Sequence, residues 1–473
     1  FKIDNFLKNF KKKNIIIVGA GLGGSMLTHS LSDKWNITVI EAGGSIPLMK
    51  NRVHDTDSPA QTNPHICSGL GGTTQLWHNG LIEIEESVFN NRWPFSKKSI
   101  EKYYEKALFI LSGKDRNTII EKSKLLLNKY LNAGFDENCF REWLFYPKSR
   151  INVWDKLRLK DRVHLIEGEV IDAEVSKEGK VKYLLVNTKG DIQKVNGDVF
   201  VFATGGLSSP ILLDKIFKTN NLNIKNIGYN YEDHPTALVG ELKLNKPLFK
   251  LWNFPCENGN LRLPIIVEVN GLRMSFQLRP SANSKLMNRK KRVKNVINEL
   301  RNNLFNPVLY FRLLTHVDDM MEILSFLFNI NFPTSSYTLT MVAEQPPSNF
   351  RAIWEGENSS INRKWIIDDS LMDIYNQGIK KAIDMLGNNI LSATIYDNWK
   401  SDIYTSSHHS GTARMASTPN EGVCDLNTKV FGVENLYICD GSVIPATGTA
   451  NTGLTIAALA LRLANHLNES NKI

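Results

Sequence analysis

The stretch from Asn14 to Gly43, NIIIVGAGLGGSMLTHSLSDKWNITVIEAG, leaves little freedom in local structure. Ile15 to Val18 form a short, wholly apolar run, the pattern of a parallel strand buried on both faces. The run breaks into Gly19-Ala-Gly21-Leu-Gly-Gly24, continues with helical composition, and returns to a second strand, Ile37 to Ile40, that ends at Glu41. In such a β-turn-α-β unit Gly19 permits the tight turn, Gly21 lets a pyrophosphate approach the backbone, and Gly24 lets the helix pack on the strand. Free N–H groups and partial positive charge at the helix start suit phosphates. Glu41 is placed to accept a hydrogen bond from a ribose 2′-OH, which argues against a 2′-phosphate. The unit reads as an ADP-binding site; a glycine-rich turn in some other α/β protein is the bland alternative.

Further strands surround it. Val163 to Val170 and Val181 to Val186 flank the turn SKEGK, and Val199 to Ala203 is a third buried strand ending in glycines before a helix. Ser96 or Ser99 is placed to cap a helix within RWPFSKKSIEKYYEKA. Residues 236–280 and 334–345 alternate apolar and polar like antiparallel strands. Between them Leu304 to Phe332 is strongly apolar and helical in spacing, and it follows the basic cluster Asn288 to Lys294. That segment is either a helical pair over the core or a membrane-contact or partner-docking patch, spanning 288–332 with its basic lead. With no internal repeat and no low-complexity linker, the domains are expected to interleave.

Composition narrows the class. A net charge of +9 is spread along the chain, with clusters only at Lys11 to Lys13 and Asn288 to Lys294, most simply solvated faces. No recognition module or basic-aromatic interleaving points to nucleic acid. Five widely spaced cysteines without a CxxC argue against zinc or a disulfide framework and for a reducing, cytoplasmic compartment. No apolar run approaches the ~20 residues that span a bilayer. The chain opens at Phe1, which leaves a trimmed leader open, although no signal-peptide core is present.

Chemistry concentrates near the other end. SSHHSGTARM, Ser406 to Met415, holds two adjacent histidines in a chain with 10 in all. They could be metal ligands, a buried structural pair, or one general base with a neighbour; Asp402 is the nearest carboxylate, so no metal is expected. Downstream come a buried strand, Leu436 to Cys439, then Asp440-Gly441-Ser442, a turn-rich loop, and an apolar helix from about Leu454 to Leu467.

Together these motifs resemble the glucose–methanol–choline (GMC) family of flavin oxidoreductases. The resemblance runs through GLGGTTQLWHNG (Gly69 to Gly80), IGYNYEDHP (Ile227 to Pro235), AEQPPSN (Ala343 to Asn349) and the C-terminal block from His408 to Thr455. The wording GGTTQLW and LTIAALALRLA is most similar to the branch acting on sugars, cyclitols and aminosugars. It implies an α/β fold: a three-layer, Rossmann-like FAD domain interleaved with a substrate domain on an antiparallel sheet. The expected division is 1–80, 155–235 and 405–473 for FAD, and 81–154 and 236–404 for substrate.

The resemblance implies oxidation of an alcohol by hydride transfer to FAD, with O₂ or a quinone or carrier protein as acceptor. Gly19, Gly21, Gly24 and Glu41 would hold the ADP half, and Val170 would meet adenine through its backbone. Gly71, Gly72 and Trp77 would line the pyrophosphate and isoalloxazine, and Asp440 and Gly441 the ribityl–pyrophosphate stretch. The spacing H-x-x-G-T makes His408 the base, with Asn451 at the second active-site position. Leu76 stands where some members tether FAD through histidine, and His78 lies further on, so non-covalent FAD is expected. His234 is similar to a structural position; His29, His164 and His466 read as surface or cap residues. Glu344 reads as a loop anchor or cavity liner. A lyase using His408 as acid–base, a lipid or sterol alcohol oxidised at a membrane, and a membrane-docked partner subunit remain the competing readings.

Overall fold

Ile15, Ile16, Ile17 and Val18 are all buried, as a strand covered on both faces must be. They lie at the centre of a five-stranded parallel sheet in the order Leu436–Ile438, Val199–Phe202, Lys13–Val18, Trp35–Glu41, His164–Glu167. The computed structural model describes residues 12–44, 48–49, 53–56, 66–77, 79–140, 142–148, 151–245, 254–280, 296, 299–300, 303, 306–314, 336–357 and 360–470. Within the sheet Ile17 faces Val201 on one side and Val39 on the other. Parallel neighbours need crossovers, and the helix Leu22–Ser30 supplies the first. That helix packs against the last one, Thr452–Ser470, whose own side chains are mostly buried.

The expected strand Val163 to Val170 is in fact two. His164–Glu167 closes the parallel sheet, whereas Glu169–Val175 joins a three-stranded antiparallel layer with Val181–Thr188 and Asp191–Asn196. The break falls at Gly168, whose N–H donates to the Glu41 carbonyl at 2.9 Å before Glu169 turns to pair with Asn187. Periodicity alone could not see a change of partner in mid-run. Nor does a serine side chain cap the helix Lys98–Ser112: its N-cap is Lys97, with no side-chain bond.

A second sheet is antiparallel, in the order Ile265–Val269, Leu272–Pro280, Ser336–Ala343, Pro235–Leu244, Ile390–Ile395, with Tyr404–Thr405 also on Pro235–Leu244. Phe276 and Met341, opposite one another, are fully buried in it. The helix Asp369–Met385 covers this sheet with Met372, Tyr375, Ile379 and Ala382, after Asp368 caps it by accepting the Leu371 N–H at 2.9 Å. Burying Met372 and Ile379 stabilises the pair of layers by about 1.5–3 kcal/mol each.

The sheet's register positions the chemistry. Pro235 pairs with Thr405, so the residues flanking them, His234 and Ser406, lie side by side, and the Ser406 N–H donates to the His234 carbonyl at 3.1 Å. The strand Tyr404–Thr405 therefore runs directly into His408 beside His234. Of the apolar stretch 304–332, the helix Pro307–Leu314 is described, with Val308, Tyr310 and Phe311 exposed. Apart from Asn306, the rest of that stretch, and the basic cluster 288–294, lie outside the described residues. All five cysteines are buried and unpaired. Among the described residues no helix is long and apolar enough to cross a membrane.

Candidate active site

Gly19 turns with φ +103°, and a Cβ there would sit 2.4 Å from the Ala203 carbonyl oxygen, so no other residue fits. Gly21 is the opposite case: a Cβ would meet nothing within 4 Å. It faces open space at the start of Leu22–Ser30, where the first paired amide is Ser25, donating to the Gly21 carbonyl at 2.9 Å. The earlier N–H groups of that turn are left for a ligand, the arrangement a pyrophosphate needs. Gly24 is where helix meets strand: its Cβ would fall 2.0 Å from the Gly19 oxygen.

The other expected cofactor residues build the same cradle. Glu41 is buried, and its carboxylate already accepts three backbone N–H groups: Ala20 at 2.8 Å, Gly43 at 3.0 Å and Gly69 at 2.9 Å. Among the described residues its Oε2 accepts only the Ala20 N–H, so one lone pair remains for a ribose hydroxyl. Gly71 donates to the Ala20 carbonyl at 3.0 Å, and Gly72 lies so close that its Cβ would be 2.9 Å from the Gly21 Cα. Val170 is buried in Glu169–Val175, which begins just after Gly168 donates its N–H to the Glu41 carbonyl. Asp440 acts through its turn rather than as a free carboxylate: it accepts from Gly205 N–H at 2.9 Å, from the Ser209 hydroxyl, and from Ser442 N–H at 2.9 Å and its hydroxyl at 2.6 Å. Gly441 packs on the His409 carbonyl, 2.6 Å from where its Cβ would be. An open Gly21, unpaired helix amides and a single-bonded carboxylate oxygen fit the ADP half of FAD.

This contrast gives a test. Gly21→Ala should leave the melting of the apoprotein unchanged and weaken FAD binding by about 1–3 kcal/mol, because the added methyl fills only ligand space. FAD retention on gel filtration beside apoprotein thermal melts checks it; a destabilised apoprotein would show that Gly21 is structural.

The two histidines diverge. His408 Nδ1 lies 2.9 Å from His234 Nδ1, with the rings edge to face at 5.0 Å. His409 Nδ1 instead meets the Tyr231 hydroxyl at 2.9 Å and Asp233 Oδ2 at 3.4 Å. Asp233 organises both: its Oδ1 accepts the backbone N–H of His234 at 2.7 Å and of His408 at 3.0 Å. Burial would raise the Asp233 pKa, but His409, Arg363 and Thr405 hold it far below the usual carboxylate range. Fully buried Arg363 is in turn held by Asp55, at 2.6 and 2.7 Å, and reaches the Tyr231 hydroxyl at 3.1 Å.

Desolvation lowers the His408 pKa to about 3, with His234 adding to the shift, and burial lowers His234 to about 4 against the pull of Asp233. Both rings are therefore neutral near pH 7. The His408 hydrogen bonds among the described residues run through Nδ1 and the backbone N–H, leaving Nε2 without one. With Nδ1 turned to His234, that nitrogen is the one offered as a base.

Asn451 immediately precedes Thr452–Ser470, and its Nδ2 donates to the Gly80 carbonyl at 3.2 Å, leaving one amide hydrogen to spare. The Trp77 ring lies against Gly453, 2.7 Å from where a Cβ would be, and its Nε1 donates to the Ile151 carbonyl at 3.0 Å. Thr447 closes a turn with Ala450 at 3.1 Å, and its hydroxyl meets His234 Nε2 at 2.9 Å, so one short loop joins the histidine pair to Asn451. Leu76 has no group that could form a bond to a cofactor, and His78 lies outside the described residues. Glu344 anchors, accepting from Arg92 at 2.8 Å and from the Arg273 N–H at 2.9 Å. His164 is exposed, while His29 and His466 are half-buried, the latter against Tyr437.

Three residues in this site escaped the sequence reading: Glu232, Asp233 and Thr447. The tripeptide EDH before Pro235 was the available signal, since three polar residues just ahead of a buried strand need partners.

Residues 357–460 match the family model described as GMC oxidoreductase. The chain is 24% identical over 97 residues to long-chain-alcohol oxidase FAO3 of Arabidopsis thaliana, covering 20% of this chain and 13% of that protein. It is 44% identical over 66 residues to 6'''-hydroxyparomomycin C oxidase of Streptomyces lividus, covering 13% of this chain and 12% of that one. In these matches the chain spans only about an eighth of the curated relatives' length. Pyridoxine 4-oxidase from Mesorbium loti has the same fold, with a TM-score of 0.62 at 13% identity over 97% of this chain and 99% of that one.

Proposed function

We propose, from the match of residues 357–460 to the GMC oxidoreductase model and the fold shared with pyridoxine 4-oxidase, that the protein is an FAD-dependent alcohol oxidoreductase. The observation that carries this is the unbonded Nε2 of a neutral His408, whose other ring nitrogen is fixed by His234. An alcohol donates hydride poorly until its hydroxyl proton is leaving. His408 Nε2 takes that proton, and the spare Asn451 N–H donates to the oxygen on which charge develops. The N-terminus of Thr452–Ser470 favours negative charge beside it. Bound FAD would supply the hydride acceptor. The FAD half of the chain comprises 1–80, 155–235 and 405–473, and the substrate half 81–154 and 236–404.

The substrate class we favour is sugar-like, cyclitol or aminosugar, which the identity to the paromomycin derivative's oxidase supports. Exposed Val308, Tyr310 and Phe311, together with the long-chain-alcohol oxidase match, favour a lipid alcohol as the second reading. The deciding experiment adds paromomycin, myo-inositol, 1-dodecanol or cholesterol to the FAD-loaded protein without oxygen, then admits air. Bleaching by one class names the substrate; rapid recovery in air means O₂ is the acceptor, and slow recovery a quinone or carrier. A flavin that every alcohol leaves oxidised defeats the proposal and favours a lyase. Acid denaturation should release all the yellow pigment, as expected for non-covalent FAD; pigment that stays with the protein overturns that expectation.

A further inference from the structure

Behind His408 the hydrogen bonds do not stop at His234. His234 Nε2 lies 2.9 Å from Thr447 Oγ1, and Thr447 donates to Glu232 Oε2, from Oγ1 at 3.3 Å and from its backbone N–H at 3.2 Å. Only one set of proton positions satisfies this row when His408 Nε2 is the base. His408 carries its hydrogen on Nδ1 and donates to His234 Nδ1; His234 carries its own on Nε2 and donates to Thr447; Thr447 donates to Glu232. Every donor faces the same way, towards a carboxyl that is 1% exposed and whose Oε1 has no hydrogen-bond partner among the described residues.

We propose that His234, Thr447 and Glu232 form a proton relay acting through His408, with Glu232 as the terminal store. The inference rests on His408 being the base, as read above. When the substrate O–H breaks, its proton bonds to His408 Nε2 and the electron pair stays on the substrate oxygen. His408 releases its Nδ1 hydrogen to His234 Nδ1, His234 its Nε2 hydrogen to Thr447 Oγ1, and Thr447 its hydroxyl hydrogen to Glu232 Oε2. One proton enters, one arrives, and each hydrogen bond in the row reverses. The carbon-bound hydrogen leaves separately, as hydride to the flavin.

The environment of the store fits the task. Burial pushes the Glu232 carboxyl up to about 8, Arg92 opposing the shift and Glu344 adding to it. Arg92 Nη1 stands 3.6 Å from Oε1 while bound to Glu344, and Arg414 is the other cation in its field. An imidazole as desolvated as His408 holds a proton poorly, so a carboxylate that binds one more tightly draws it onward. Above about pH 8 Glu232 is ionised and receives; below, it is already filled and the relay stalls.

The test uses FAD-loaded protein labelled with ¹⁵N-histidine, followed by long-range ¹H–¹⁵N spectra from pH 6 to 10. Hydrogen on His408 Nδ1 and His234 Nε2 is expected, with the His234 signals titrating near pH 8. Glu232→Gln should abolish that titration, Thr447→Val should abolish it and scramble the tautomers, and Thr447→Ser should restore both. The anaerobic bleaching rate, measured with whichever alcohol of the panel acts fastest, should lose its rise through pH 8 in E232Q and T447V alone. The relay is overturned if His234 carries its hydrogen on Nδ1, if the titration survives E232Q, or if T447V matches wild type. The expected spectra without bleaching by any alcohol would sink the oxidation reading and support the relay as an acid–base device. Should E232Q fail to fold, the Thr447 pair decides.

Discussion

Replacing His408 with alanine slows anaerobic bleaching of bound FAD by about 10²–10⁴-fold, the span a positioned base contributes. The change deletes the ring and little else. Asp233 Oδ1 still accepts the residue 408 backbone N–H, so the loop keeps its path, and the cradle around Gly19, Gly21 and Glu41 is untouched. FAD content should therefore stay at the wild-type level while the rate collapses, and added imidazole should recover part of it. Stopped-flow absorbance at the flavin band reads both. A variant that bleaches as fast as wild type would remove His408 from the reaction.

The second large effect is structural. Arg363→Met should destabilise the fold by about 3–5 kcal/mol, the usual result of stripping one partner from a buried ion pair. Arg363 has no exposed surface, holds Asp55 with two bonds, and lies 3.6 Å from Asp233. Its loss leaves fully buried Asp233 and half-buried Asp55 under-compensated. Arg363→Lys should recover little, because an ammonium cannot reproduce the forked contact with Asp55. Urea denaturation of the FAD-loaded protein checks both variants. A cost below about 1 kcal/mol would mean that water or a rearranged Tyr231 takes over the role. Because Asp233 also fixes the backbones of His234 and His408, the same variant should slow bleaching in whatever fraction remains folded.

The β-turn-α-β unit was legible because its constraints are local. Gly19 is demanded by a turn within one strand–helix connection, and Glu41 stands at a fixed place in the same unit. The preference for His408 over His409 came from motif spacing; the two rings point to different partners. What stayed hidden was long-range. His234 meets His408 only because Pro235 pairs with Thr405 across an antiparallel sheet, and no periodicity encodes which strands become neighbours. Thr447 lies in a turn-rich loop, and only the fold sets its hydroxyl beside His234. The split at Gly168 was invisible for the same reason, because both halves of the run are good strands and differ only in partner.

The order of strands in the parallel sheet also governs how the molecule can be made. Lys13–Val18 is synthesised first, yet its neighbour Val199–Phe202 is flanked on the far side by Leu436–Ile438, and the packing partner of Leu22–Ser30 is the helix after that. A ribosome must reach Leu436–Ile438 and then Thr452–Ser470 before that layer gains its outer edge and its cover, and until then a hydrophobic surface waits in the open. A premature stop anywhere before Leu436 removes both the edge strand and Asn451.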